Sequence, residues 1–92
     1  MTPKLKRAYV LKADGTKVAL SDRPNLKEAQ AAVGGYVELM PKSERSPRLT
    51  VYANEEGRLN GLPTNVQASE LLGYAIVGDV VVLEGWHSLR GD

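Results

Sequence analysis

The sequence predicts an α+β domain: a mainly antiparallel sheet of about five strands in the order β-β-α-β-β-α-β, with two short helices on one face. Three observations predict it. Asp14-Gly15 separates two stretches with strand character, and Asp-Gly supplies the positive φ that a tight hairpin turn requires. Two segments rich in helix formers, 26–33 and 66–72, each follow a capping residue and end at glycine. Apolar residues alternate at 36–40 and 49–54, and a nearly unbroken aliphatic run occupies 75–83. The length of 92 residues fits one domain, 1–92, with a core over 6–83 and a tail over 84–92.

Taken in chain order, 6–13 and 16–20 pair as a β-hairpin about Asp14-Gly15. Asn25 opens the first helix, with Glu28 three residues on as in a capping box, and Leu26, Ala29, Ala32 and Val33 share a face. Gly34-Gly35 closes it, since glycine reaches the left-handed conformation without a Cβ clash. A strand from Tyr36 stops at Pro41, and a charged loop over 42–48 leads to the strand 49–54. Glu55-Glu56-Gly57 is a turn, and 58–63 has no assigned pattern. Thr64 or Asn65 caps the second helix, with Gln67 placed for a capping box on Thr64, and Gly73 ends it. The run 75–83 lacks clean alternation, as in a central strand covered on both faces, and Gly78-Asp79 marks a bulge or bend within it.

Composition narrows the function classes. There are no cysteines, so disulfides and thiolate metal ligands are excluded. No secretory h-region follows the basic N-terminus, and the longest apolar run is too short to span a bilayer. Both point to a cytoplasmic protein with no membrane partner. Formal net charge is +1, from 12 Lys and Arg against 11 Asp and Glu, which disfavours a nucleic-acid partner. The local exception is the N-terminal stretch with Lys4, Lys6, Arg7 and Lys12, which reads as a solvated end.

Val33-Gly-Gly-Tyr-Val-Glu38, Asn54-Glu-Glu-Gly-Arg-Leu-Asn-Gly-Leu-Pro-Thr-Asn65 and Ile76-Val-Gly-Asp-Val-Val-Val-Leu83 resemble the family catalogued as domain of unknown function 3846. The resemblance spans residues 25–83. It implies an intracellular protein of a bacteriophage, plasmid or bacterium. It implies no activity and supplies no catalytic residues.

Candidate binding residues follow from period-2 alternation. If the aliphatic sides of 36–40 and 49–54 meet the helices, Tyr36, Glu38, Tyr52 and Asn54 share the opposite, open face. Two tyrosines beside hydrogen-bonding groups make a recognition surface; the plainer alternative is a solvated sheet face. Asn65 is a further candidate, because free N–H groups behind it suit an anion, against simple helix capping. Glu38 with Glu55 and Glu56 matches no cation-binding loop, and no cysteine or histidine joins them, so no metal, cofactor or catalytic residue is expected. The lone histidine, His87, lies beside Trp86 in the tail, where Trp86 is expected to pack against the sheet.

The sequence therefore points to a non-enzymatic phage-type accessory protein that binds a host protein or small ligand. Two alternatives are a single-stranded nucleic-acid module stacking bases on Tyr36 and Tyr52, and, more weakly, a minimal hydrolase using Glu38. A homodimer through the Tyr36, Met40 and Tyr52 face is also expected.

Overall fold

The computed structural model describes residues 6–91. The elements follow the expected order: β1 Arg7–Leu11, β2 Lys17–Leu20, α1 Leu26–Val33, β3 Val37–Leu39, β4 Leu49–Asn54, α2 Val66–Leu72 and β5 Val80–Glu84. The five strands form one sheet in the order β2-β1-β5-β4-β3, and every neighbouring pair is antiparallel.

Local chemistry sets the boundaries. At the β1–β2 hairpin the Gly15 N–H donates to the Lys12 carbonyl at 2.9 Å and the Lys12 N–H to that of Thr16 at 2.8 Å. Gly15 sits at φ +93°. The loop is thus a type I turn followed by a left-handed glycine, one residue longer than the tightest hairpin. Asn25 caps α1 by accepting from the Glu28 N–H at 2.9 Å, and Gly34 ends it in the left-handed region. At α2 the cap is Asn65, not Thr64, and Gln67 instead donates to the Gly15 carbonyl at 3.3 Å.

The two helices do not share a face. Val80 and Val82 cluster with Tyr9, Leu11, Val51 and Ala53 beneath Ala68 and Leu72 of α2. Val81 and Leu83 cluster with Ala8 and Tyr52 beneath Ala29 and Val33 of α1. Consecutive strand residues point to opposite faces, so four fully buried aliphatics in a row need a cover on each side. Each such burial contributes roughly 1.5–3 kcal/mol, which neither face can forgo in a small domain.

Two boundaries also differ from expectation. The last strand begins at Val80 rather than Ala75, because Gly78 turns the chain at φ +75° and Asp79 accepts from the Ala13 N–H at 2.9 Å. Ile76 before it is buried against the α2 cluster. Residues 84–91 are not an unpatterned tail: Glu84 ends β5, and Trp86 and Leu89 pack on the α1 side of the sheet, as expected for Trp86. The Thr50 hydroxyl donates to the Trp86 carbonyl at 2.9 Å, and the Arg90 N–H to the Pro24 carbonyl at 2.8 Å. The Arg90 guanidinium pairs with Glu28 at 3.1 Å and Asp22 at 3.5 Å. Among the described residues no helix is long and apolar enough to cross a membrane.

Candidate functional site

The expected common face of Tyr36, Glu38, Tyr52 and Asn54 does not form. The β3–β4 register sets Val37 opposite Asn54, Glu38 opposite Ala53 and Leu39 opposite Tyr52. Opposed residues share a face, so Glu38 lies on the α2 side while Tyr52 and Asn54 lie on the α1 side. Tyr52 is 9% exposed, beneath α1, and belongs to the core. Aligning the strands by their aliphatic residues fails because β3 is an edge strand. Val37 is only half-buried and Leu39 is 55% exposed, so hydrophobicity does not fix which way they point. The open sheet face goes with it, and so do the Tyr36–Tyr52 stacking platform and the dimer surface drawn on it. Of the two tyrosines only Tyr36 is exposed, at 70%.

Two candidate amides are structural. The Asn54 side chain donates to the Val33 carbonyl at 3.1 Å and accepts from the Glu56 N–H at 2.8 Å, so it ties the end of α1 to the following turn. Asn65 is 0% exposed. Its oxygen accepts from the Ala68 N–H at 3.0 Å, and its nitrogen donates to the Leu11 and Gly78 carbonyls, both at 2.9 Å. Both donor hydrogens and the carbonyl oxygen are thus engaged within the chain, as helix capping requires, and the Asn65 side chain is not available to a ligand.

Glu38 and Asn54 both border a cleft of about 290 Å³ between the β3–β4 edge, the turn after β4 and the 75–77 segment. Met40, Ala53 and Ile76 give it an apolar floor, and Glu38, Glu55 and Arg58 line it with charge. Arg58 is held by donating to the Ala75 carbonyl at 3.3 Å. The Glu38 and Glu55 carboxylates have no hydrogen-bond or ion-pair partner among the described residues. Arg58 and Ile76 carry no sequence signal for this site: they come from an unpatterned turn and from the bend before β5. The turn itself depends on Gly57, where a Cβ would approach Val77 Cγ2 to 2.9 Å.

A second cleft, about 370 Å³, lies between α2 and the hairpin and is lined by Tyr9, Lys17, Gln67 and Glu70 among others. Lys17 Nζ stands 4.1 Å from the Tyr9 ring centroid. Burial, helped by the Glu84 charge, pushes the Tyr9 phenol pKa up from its ordinary value. Elsewhere, Arg7 pairs with Glu84 at 3.4 Å, Lys6 and His87 are exposed, and Lys4 lies outside the described residues. No group of three His, Cys, Asp or Glu among the described residues is placed to hold a metal ion.

The fold is thus a five-stranded antiparallel sheet with one helix on each face and a charged cleft at one edge. Residues 5–89 match the family described as domain of unknown function (DUF3846), and the chain belongs to that family. No curated protein and no solved structure matches it. Within its Gly-Gly, Asn-Glu-Glu-Gly and Val-Gly-Asp motifs, Gly34, Asn54, Gly57, Gly78 and Asp79 all serve to fix caps and turns.

Proposed function

We propose that the protein is a small non-enzymatic binding module, acting inside a bacterial cell as a phage-type accessory protein, and that the cleft beside β3 holds its partner or ligand. One observation carries this: an apolar floor of Met40, Ala53 and Ile76 bordered by two unpartnered carboxylates, Glu38 and Glu55. Apolar area supplies affinity, and a few placed polar groups orient what binds. Among the described residues the buried polar side chains, Thr50 and Asn65, are both held in structural hydrogen bonds. The chemistry available to a partner is therefore that of the cleft's rim.

Ala75→Trp tests it, because Ala75 is exposed and lines the cleft. Wild type and variant are used to capture proteins and small molecules from bacterial lysate, with mass spectrometry of both. A molecule retained by wild type and absent from a variant of unchanged melting temperature is the expected result. Identical captures would remove the cleft as the binding site.

A further inference from the structure

We infer that the partner is an extended, basic polypeptide segment that adds to the sheet as a sixth strand along β3, placing a Lys or Arg opposite Glu38. This rests on the cleft as the contact surface and names what occupies it.

The phase of the β3–β4 ladder leaves part of β3 open. Met40 N–H donates to the Val51 carbonyl at 2.8 Å, and Glu55 N–H to the Tyr36 carbonyl at 2.9 Å. Antiparallel pairs alternate between bonded and non-bonded, so Tyr36, Glu38 and Met40 direct their backbone groups inward to β4. Val37 and Leu39 therefore direct their N–H and C=O groups outward, at the edge of the sheet. An incoming strand has four backbone groups to bond there.

Side chains then select the strand. On the added strand, the residue facing Glu38 sits in a non-hydrogen-bonded pair, where side chains approach most closely. It stands on the α2 side, the side of the cleft, next to the unpartnered carboxylates of Glu38 and Glu55. A cation there is favoured and an anion disfavoured.

The same geometry selects against a second copy. Antiparallel pairing of β3 with another β3 over its full length sets Glu38 opposite Glu38. The other edge, β2, contains Lys17, but Lys12 N–H donating to Thr16 fixes its phase so that Lys17 and Ala19 carry the outward groups. In an antiparallel pair they must face Val37 or Leu39, so Lys17 never comes opposite Glu38. A β2 edge from another copy offers an uncharged residue, such as Val18, at that position.

The test uses two synthetic eight-residue peptides, one alternating Val and Lys, the other Val and Glu, titrated into isotope-labelled full-length protein. Backbone amide NMR reads the site and fluorescence anisotropy the affinity. The Val-Lys peptide is expected to bind more tightly by about tenfold, shifting the Val37 and Leu39 amides. Glu38→Lys is expected to reverse that preference. Leu39→Pro removes only an outward N–H, so it is expected to lose binding with an unchanged melt. Equal binding of the two peptides, or equal binding to Leu39→Pro, overturns the inference. So does a wild-type dimer in sedimentation whose Val37 and Leu39 amides are protected from exchange. Shifts at Ala75 and Ile76 without Val37 and Leu39 leave the cleft as the site but overturn the added strand. No shift with either peptide overturns the basic-strand partner, whereas the cleft stands or falls on the Ala75→Trp captures.

Discussion

The side-chain nitrogen of Asn65 donates to the carbonyl of Leu11, 54 residues earlier in the chain, at 2.9 Å. The same amide caps α2 and holds the Gly78 bend, so one buried side chain joins β1, α2 and the entry to β5. Asn65→Asp separates these roles: the carboxylate still caps the helix but cannot donate to two carbonyls. It is expected to cost about 3 kcal/mol, from two lost hydrogen bonds and a buried carboxylate set against two carbonyl oxygens. Asn65→Ala loses the cap as well and is expected to cost at least as much. Urea denaturation measures both, and an Asp variant as stable as wild type would refute the bracket.

Val80 and Val81 differ by one position and point to opposite faces, each 0% exposed. With a helix on each side, Val80→Asp and Val81→Asp should both abolish the cooperative melt by burying an unpaired charge. A sheet with both helices on one face would tolerate one of the two. Circular dichroism melts of the pair settle which arrangement holds in solution.

Tyr52→Glu should behave as a core substitution. Its ring packs with Val33, Val81 and Leu83, so the variant is expected to lose about 3–5 kcal/mol and unfold near room temperature. A folded variant that differs only in sedimentation would instead return Tyr52 to the surface.

Asp14 gives the hairpin a pH dependence. Hydrogen bonds from the Thr16 side chain and backbone hold its carboxyl below the ordinary value of 3.8. A depressed folded-state pKa means the carboxylate's contribution is full above the unfolded value and is lost as pH falls through the folded one. Asp14→Ala should therefore melt lower than wild type at neutral pH, with the gap closing as the pH falls below the ordinary carboxylate range. A gap that stays constant on acidification would dissociate Asp14 from the effect.

Much of the fold was legible because its signals are local. Asn25, Gly34, Asn65 and Gly73 stand at the helix ends where capping chemistry requires them, and Asp14-Gly15 stands in the hairpin loop. Burial of Val51, Val80 and Val82 also follows from the pattern. The side of the sheet each helix takes was not legible from helix sequence, although four successive aliphatics in 80–83 already require two covers. The site was less legible still. Asn54 and Asn65 look like ligand groups in sequence, yet their partners, Val33 and Leu11, are distant in the chain. The orientation of Tyr52 depended on register across an edge strand that is too exposed to declare its inner face. Arg58 reaches the cleft only through the turn that Gly57 permits.

The last strand in the chain, β5, lies at the centre of the sheet, between β1 and β4. During synthesis, the β1–β2 hairpin and the β3–β4 pair can each close early, but neither has its inner neighbour until residues 80–84 emerge. Until then both halves present an unpaired inner edge and an uncovered apolar surface, the condition that favours aggregation of a nascent chain. Closure of the sheet therefore waits on β5 and is effectively all-or-none. A chain cut before Val80 would leave two incomplete sheets rather than a shortened domain, which makes Val80–Glu84 as necessary to the fold as any strand that precedes it.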